Sequence, residues 1–467
     1  MNFEDPRHLA AAAQKVRAEY LKGAHTASIS SQQAAINRDD PVKGPLWVSK
    51  FTTPKPIRDT SRDLLISLID EANDKNISYD RPDSTPLSFE WTGFRSNVNK
   101  DAPEPPLGED EKFEKLKAET KSPLAIFYIY GGSFVLNTPS NYRKTAGLLA
   151  QSTGSKVLMV HQRLAPQNPF PAALLDVFQA YLTLLAPPPG SPHKAIPPSS
   201  IVLAGDSSGA CLALSLVQIL LRLIRKNASV TFHGQDIPLA VPAGVAAVSA
   251  VADLTNAFPS FDRNAFCDIF PVPIEKLPYL QKSFPTCPAW PTNPPRANLY
   301  CEAGMLAHPL ASPVASEDWT GSCPIWIASG QEQIIDASKL LIQTVHAQGV
   351  SATLQEYEAM PHTFFFFFRQ APQTRKLFQD WAKAIVGLAK GEKPRSSASF
   401  ICAKGLVAKP MDVENLVPYT VAEAKEFMWK KTRRETGKEV RLTWQGSEGM
   451  SLMVVYDSLD PMKLIRG

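Results

Sequence analysis

The stretch LAGDSSGACLA, residues 203–213, places a serine between two glycines. Gly205, Ser207 and Gly209 match the pattern G-x-S-x-G, which follows the strand-like run SIVLAG and precedes a long apolar helical pattern. Glycine on both sides lets a strand turn sharply into a helix and leaves the serine hydroxyl exposed above a sheet. Ser207 is therefore a candidate nucleophile. The alternative is an ordinary serine in a glycine turn. Other residues of the chain must distinguish these two interpretations.

Short apolar runs recur through the middle of the chain, and they are rich in β-branched and aromatic residues. They lie at residues 124–130, 156–162, 200–205, 244–251, 324–330 and 352–358. Longer helical patterns alternate with them, for example over 171–185 and 209–226. This rhythm is typical of a mostly parallel sheet buried on both faces. It predicts an α/β fold whose active site lies at the carboxyl ends of the strands.

Length and charge limit the function classes. The 467 residues exceed the roughly 250 to 300 that one core usually holds, so we expect one large domain with added layers, or two domains. The 49 basic and 45 acidic residues are scattered and give a formal charge of +4. A charge this small and this dispersed does not indicate a nucleic-acid-binding surface. The six cysteines are far apart, which favours buried, reduced thiols over a metal site or a disulfide framework.

The cellular location is predicted from two kinds of segment that the sequence lacks. Residues 1–23 contain early acidic residues and no apolar core before a cleavage site, unlike a secretory signal. No segment of the sequence reaches the roughly 18 consecutive apolar residues that span a bilayer. We therefore expect a cytoplasmic protein with no transmembrane segment.

A nucleophilic serine needs two further side chains. An imidazole must take the hydroxyl proton, and a carboxylate must orient that imidazole. Among the eight histidines, His362 in EAMPHTF follows a predicted strand near the end of the sheet region. The loop after residues 324–330 contains QEQIID, which offers Glu332 and Asp336. One of these carboxylates is expected to face the imidazole and the other to cap a helix.

The chemistry also needs backbone N–H groups that stabilise an oxyanion. In YIYGGSF, Gly131 and Gly132 follow a strand, where glycine lets the backbone approach a substrate closely. The N–H of Ser208, directly after the candidate nucleophile, is the expected second donor. The alternative for the two glycines is an ordinary turn.

Taken together, these segments resemble the hormone-sensitive-lipase-like group of α/β-hydrolases. The resemblance covers roughly residues 85–390. It includes the Gly-Gly loop, QRLAPQNPFPAALLD at 162–176, GDSSGA at 205–210, SAVADLT at 249–255, HPLASP at 308–313 and MPHTF at 360–364. One departure is that the family's H-G-G-G stands here as Tyr130-Gly131-Gly132-Ser133. Since the expected donors are backbone groups, an oxyanion hole can survive this change.

The resemblance implies a central, mostly parallel eight-stranded sheet flanked by helices, with a helical cap. The implied organisation is N-terminal cap helices and lead-in at 1–84, core at 85–254, cap insertion at 255–300, core at 301–390 and a C-terminal extension at 391–467. Aligning EQIID with the family pattern D-x-L-x-D selects Glu332 as the acid and leaves Asp336 as the reserve. The implied activity is hydrolysis of a small-molecule carboxylic ester without a metal or cofactor.

The sequence leaves several interpretations of the function open. The aromatic, proline-rich insertion favours a bulky or apolar ester, including specialised metabolites. The same machinery also serves acyl transfer, lactone formation, thioester hydrolysis, and cyclase or lyase chemistry. A ligand-binding receptor that has lost its chemistry is the alternative from another class. Since serine, acid candidate and histidine are all retained, an enzyme is preferred to a receptor, and ester hydrolysis is the first hypothesis among the enzyme activities.

Two other segments carry predictions. Thr420 and Glu423 form a capping box, so a helix should begin there and end at Gly437, with a hairpin over 440–457. The extension is open to three roles, which are packing on the cap, homodimerisation and shaping a pocket. The five phenylalanines at 364–368 are expected to be buried on all sides behind the histidine, with a lining role for one or two rings as the alternative.

Overall fold

The computed structural model of the protein describes residues 2–24, 26–271 and 276–447. The strands are β1 (Leu46–Thr53), β2 (Leu87–Phe94), β3 (Ala125–Ile129), β4 (Lys156–Val160), β5 (Ile201–Asp206), β6 (Val230–Phe232), β7 (Gln235–Ile237), β8 (Gly244–Val248), β9 (Ile325–Gly330), β10 (Ala352–Tyr357), β11 (Ser397–Ile401) and β12 (Ala408–Met411). The α-helices are α1 (Pro6–Ala24), α2 (Ile29–Ile36), α3 (Ser61–Ala72), α4 (Glu109–Glu119), α5 (Pro139–Thr153), α6 (Ala172–Leu185), α7 (Ser207–Arg225), α8 (Ser260–Arg263), α9 (Ile335–Ala347), α10 (Phe364–Phe367), α11 (Pro372–Ala389) and α12 (Val421–Ser447).

Ten of these strands form one sheet in the order β1-β2-β4-β3-β5-β8-β9-β10-β11-β12. The six strands predicted from apolar runs form its centre, and they pair in parallel from β4 to β10. Antiparallel pairs lie at the two edges, β1–β2–β4 on one side and β11–β12 on the other. The α/β fold is therefore confirmed. The eight implied strands are present, and the C-terminal extension adds two more.

Helices cover both faces of the central strands. Along β3, Ile126 and Tyr128 pack into one apolar cluster with α5 and α11, while Phe127 and Ile129 pack into the other with α6 and α7. This explains why the central strands read as continuous apolar runs rather than as alternating ones. Among the described helices, α7 has the length and hydropathy of a membrane span, but 89% of its apolar stretch is buried in the protein. Packing in the core accounts for its composition.

The insertion at 255–300 is mostly irregular where it is described. It contains the four-residue helix α8 and a single turn of 3-10 helix at Pro278–Leu280. Proline removes the N–H that helices need, so this composition favours loops. A longer helix, α1 from the N-terminal region, lies against the insertion. Its Gln14 and Arg17 donate hydrogen bonds to the carbonyl of Ala265 at 3.0 and 2.7 Å. The insertion and α1 thus pack on one another.

The C-terminal extension is part of the hydrophobic core. Its strand β11 pairs in parallel with β10, and α12 buries Ala424, Met428 and Thr432 at helical spacing. Helix α12 lies against two short segments of the second half of the core, Ala303–Met305 and Pro313–Ala315. The sequence left packing on the cap, homodimerisation and shaping a pocket open. The extension packs mainly on the core, and it touches the cap insertion where the Tyr419 ring lies 5.7 Å from that of Phe258.

The start of α12 follows the prediction and its end does not. Thr420 N–H donates to Glu423 Oε2 at 2.8 Å and Glu423 N–H donates to Thr420 Oγ1 at 3.2 Å, so the capping box is confirmed. The predicted stop at Gly437 is wrong, because the helix continues to Ser447. Glycine costs only about 1 kcal/mol in a helix, which is too little to end one alone. The predicted hairpin is wrong over 440–447, and its remainder lies outside the described residues.

Replacing Met428 tests whether the extension belongs to the core. Met428 is fully buried, so Met428→Ala should lower the free energy of unfolding by about 2 to 5 kcal/mol, measured by urea denaturation of the whole chain. The matched control is Glu426→Ala on the exposed side of the same helix, which should change it by less than about 0.5 kcal/mol. Equal effects of the two changes would contradict the packing of α12.

Candidate active site

Ser207 lies at the sharp turn between β5 and α7. It is the first residue of α7, and its φ of 51° is in the left-handed region that residues other than glycine rarely adopt. The flanking glycines are needed because β3 passes very close. A Cβ added to Gly205 or Gly209 would lie 2.6 or 2.0 Å from the Ile129 carbonyl oxygen. The glycine pattern therefore has a steric cause, which is the contact of the turn with the end of β3.

The three predicted side chains converge from the ends of three strands. His362 Nε2 lies 2.8 Å from Ser207 Oγ, and His362 Nδ1 lies 2.8 Å from Glu332 Oε2. Ser207 follows β5, Glu332 follows β9 and His362 lies in the loop after β10. All three are at least nine-tenths buried. The arrangement can carry a proton from the hydroxyl to an imidazole that a carboxylate orients.

Negative charge around His362 determines its protonation. Burial alone would lower the pKa of this imidazole, but the charge and hydrogen bond of Glu332 and the charges of Asp268 and Asp206 outweigh burial and raise the pKa above its ordinary value of 6.5. A raised pKa makes the imidazole a stronger base, and the carboxylates stabilise the imidazolium that forms when it takes a proton.

The structure separates the two acid candidates. Glu332 is the carboxylate on the imidazole, and its other oxygen, Oε1, accepts from the Gly330 N–H at 2.8 Å. Asp336 lies one helical turn further on in α9 and accepts from Ser260 N–H and from Arg263 Nη2. Asp336 thus ties the insertion to the start of α9 and does not contact the histidine.

The loop after β3 runs beside the nucleophile. A Cβ on Gly131 would lie 2.9 Å from the Cβ of Ser207. The Gly131 N–H, however, donates to Asp206 Oδ1 at 3.3 Å, which disfavours the predicted role of this group as an oxyanion donor. Among the described residues, the N–H groups of Gly132 and Ser133 donate to no other protein atom. The Ser208 N–H lies in the first turn of α7, where helical N–H groups have no partner within the helix.

Asp206 is a site residue that the sequence argument missed. Its carboxylate is fully buried and accepts hydrogen bonds from the hydroxyls of Tyr128 and Tyr142 at 2.8 and 3.0 Å, besides the Gly131 N–H. Burial raises its pKa to about 6 although these hydrogen bonds favour the charged form. Asp206 therefore joins β3, α5 and the Gly-Gly loop directly behind Ser207. Its position before the serine was the available signal.

Ser249 is a second residue that sequence reasoning did not single out. Its hydroxyl donates to Glu332 Oε1 at 2.6 Å and accepts from the Thr363 N–H at 3.0 Å. Ser249 follows β8 and has a φ of 51°. It therefore links the loop of the acid to the loop of the histidine. The strand end before SAVADLT is the only sequence signal for this link.

Aromatic side chains pack against the histidine and in the loop after β3. The Phe270 ring of the insertion lies 4.8 Å from the His362 ring, and Phe134 stacks on Tyr300 at 3.6 Å between ring centroids. The phenylalanine run behind the histidine is only partly buried. Its first, second and fifth rings are in the core, whereas Phe367 is 42% exposed. Burial on all sides is therefore wrong, because the short helix α10 turns one of its faces outward.

A family model described as the alpha/beta hydrolase fold matches residues 126–366. The chain belongs to this family. An acetyl-hydrolase of Streptomyces hygroscopicus is 29% identical over 268 residues, which are 57% of this chain and 76% of that protein. An esterase of Acinetobacter venetianus is 28% identical over 59% of this chain and 78% of its own length. Hormone-sensitive lipase of Bos taurus is 35% identical over 101 residues, 21% of this chain and 13% of its own. These relatives confirm the resemblance to the hormone-sensitive-lipase-like group.

Solved structures agree on the fold. An esterase from the bacterial hormone-sensitive lipase family has a TM-score of 0.52 at 19% sequence identity, and the match covers 82% of this chain and 99% of that one. At that identity the match supports the architecture of the α/β-hydrolase and nothing finer.

Substituting Gly209 tests the steric basis of the serine turn. Alanine normally stabilises a helix relative to glycine by about 0.5 to 1 kcal/mol. At position 209 the new methyl group would meet the Ile129 carbonyl, so Gly209→Ala should instead lower the stability by about 1 to 3 kcal/mol, measured by thermal unfolding. Gly387→Ala in α11 is the matched control. Its methyl group meets only the flexible Glu392 carboxylate, so it should not destabilise. A stabilising Gly209→Ala change would refute this account.

Proposed function

We propose that this protein is a serine hydrolase that cleaves a carboxylic ester through an acyl-enzyme on Ser207. The single observation that carries the proposal is the unbroken chain from Ser207 Oγ through His362 to Glu332, with both steps at 2.8 Å. The esterase and acetyl-hydrolase names of its relatives agree with this function. A receptor that has lost its chemistry has no need of such a chain.

The proposed reaction has two half-reactions. Ser207 Oγ bonds to the ester carbonyl carbon while His362 Nε2 takes the hydroxyl proton. The carbon–oxygen bond to the alcohol then breaks, and the alcohol leaves with the proton from His362. Water next adds to the acyl-enzyme, again losing its proton to His362, and the carboxylic acid departs as Ser207 regains a proton. Glu332 accepts from Nδ1–H, which keeps Nε2 free to act as the base.

Three backbone groups are proposed to stabilise the tetrahedral oxyanion. They are the N–H groups of Gly132 and Ser133 in the loop beside Ser207 and the N–H of Ser208 at the start of α7. The positive end of the α7 dipole adds to this stabilisation. In this proposal Ser133, the next residue after Gly132 in the same loop, takes the role that the sequence predicted for Gly131.

The environment favours esters with an apolar part. The nucleophile is only 8% exposed, and the Phe270 ring lies 4.8 Å from the ring of His362. Phe134, whose N–H donates to Ser208 Oγ, stacks its ring on that of Tyr300. Apolar groups gain free energy when they are buried against such rings. We propose a small-molecule ester with a bulky or apolar group as the substrate class.

Labelling of the serine tests the proposed nucleophile. A fluorophosphonate probe should label the wild-type chain at Ser207, and both Ser207→Ala and His362→Ala should abolish the label, read by intact-protein mass spectrometry. Glu332→Gln should slow labelling by about 100-fold or more, because the imidazole loses its orienting charge. Asp336→Asn is the matched acid control and should label at close to the wild-type rate.

The identity of the reaction is tested by product analysis. A panel of esters and the corresponding thioesters, with short and bulky acyl chains, is incubated with wild-type protein and with Ser207→Ala. Free acid released from the esters only by the wild type supports the proposal. Labelling without any ester cleavage, or an acylated alcohol or amine as the main product, would exclude simple hydrolysis.

The pH dependence follows from His362. The imidazole must be neutral to accept the serine proton, so activity is lost as the pH falls through its pKa. Because the surrounding carboxylates raise this pKa, kcat/KM should fall on the acid side with an apparent pKa above 6.5. An acid limb at or below pH 6 in a rate profile with a neutral ester would contradict this assignment.

A further inference from the structure

A fourth carboxylate touches the loops that carry the candidate acid and base. Asp268 belongs to the insertion at 255–300 and is fully buried. Its Oδ1 accepts from the backbone N–H of His362 at 2.7 Å, and its Oδ2 accepts from the backbone N–H of Gln333 at 2.6 Å. Gln333 is the residue directly after Glu332. One side chain therefore holds the acid loop and the histidine loop at the same time.

We infer that Asp268 is a positioning residue for the proposed ester hydrolysis, through which the insertion and the N-terminal helix set the geometry and the charge of His362. This inference rests on the proposed function of Ser207, His362 and Glu332. It adds a residue from outside the G-x-S-x-G, acid and histidine segments.

The hydrogen bonds require a carboxylate at this position. Oδ1 accepts a second N–H, that of Ile269 at 2.8 Å, so both oxygens act only as acceptors of backbone donors. Asparagine has nearly the same shape but presents an NH₂ group in place of one oxygen. That group would face an N–H, donor against donor, and one of the two loops would lose its partner.

Charge gives Asp268 an effect beyond its hydrogen bonds. The titratable groups that face it are Glu332, His362, Cys267 and Arg17. Burial, together with the charge of Glu332, raises the pKa of Asp268 to about 6. In its ionised form it stabilises imidazolium at His362, which also faces Glu332 and Asp206. Three carboxylates thus act on one imidazole, Glu332 in direct contact, Asp268 from beside the adjacent backbone and Asp206 through its charge.

Arg17 connects this carboxylate to α1. Its guanidinium donates to the Ala265 carbonyl at 2.7 Å and to Gln333 Oε1 at 3.0 Å, and its charge interacts with that of Asp268. The N-terminal helix therefore contacts the insertion that carries Asp268 and the acid loop, which is one of the two loops that Asp268 joins. Removing the Arg17 charge should act on His362 in the opposite direction to removing the Asp268 charge.

The test compares Asp268→Asn and Arg17→Gln with wild type in the full chain. For Asp268→Asn we expect kcat to fall about 10- to 100-fold with KM changed less than about threefold, because small misplacement of reacting groups costs that much. The acid limb of the pH profile should move down by about one unit, and for Arg17→Gln it should move up. NMR titration of the His362 imidazole should show the same two directions. Asp262→Asn, an exposed acid of the same insertion, is the matched control and should leave all values unchanged.

The outcomes separate the inference from the proposed function. A normal kcat in Asp268→Asn, or a reduced kcat with no shift of the His362 titration, overturns the positioning role, since loosened packing alone lowers the rate without moving this pKa. If Asp268→Asn fails to fold, Arg17→Gln decides, and an unmoved titration overturns the inference. Absence of serine labelling in the wild type would reject the hydrolase proposal, whereas the NMR titration would still report on Asp268.

Discussion

A carboxylate and an imidazole held 2.8 Å apart and out of water form the interaction on which the rest of the structure depends. A buried charge is costly unless hydrogen bonds and a partner compensate for it. Glu332 accordingly has three partners, which are His362, the Gly330 N–H and the Ser249 hydroxyl. Each comes from a different strand end, so the sheet has to bring β8, β9 and β10 into register before the carboxylate is satisfied.

Backbone strain is concentrated at the same place. Ser133, Ser207, Ser249 and Thr363 all have φ between 48° and 55°, in the left-handed region that L-residues avoid. Such conformations persist only where the surrounding structure imposes them. Here they turn the four loops that meet at the nucleophile, and the crowding of Gly205 and Gly209 against the Ile129 carbonyl shows how little room those turns have. Precise placement of the side chains is obtained at the expense of local stability.

Segments outside the central sheet also reach the site. Arg17 of α1 contacts Gln333, and Asp268 of the insertion contacts the loops of the candidate acid and the candidate base. Asp336 of α9 anchors the start of the insertion through Ser260. The C-terminal extension lies elsewhere, since it adds β11 and β12 to one edge of the sheet and α12 to the outer layer of the core. The N-terminal helix and the insertion therefore contact the candidate site, whereas the C-terminal extension enlarges the sheet and the core.

The sequence by itself determined the α/β fold, the six central strands and the convergence of Ser207 with His362. Those features can be predicted because apolar runs, glycine spacing and strand ends are each recognised from residues that are close together in the sequence. From its residues alone the sequence left Glu332 and Asp336 both open, and it placed an oxyanion donor at Gly131 and a helix stop at Gly437. The continuation of the helix past Gly437 has a local reason, since one glycine costs too little to end a helix. Only the tertiary structure bears on the acid and on Gly131, because each depends on a partner distant in the chain, and the Gly131 N–H donates to Asp206, 75 residues away. The same holds for Asp268, whose role comes from backbone donors 65 and 94 residues away that no local pattern encodes.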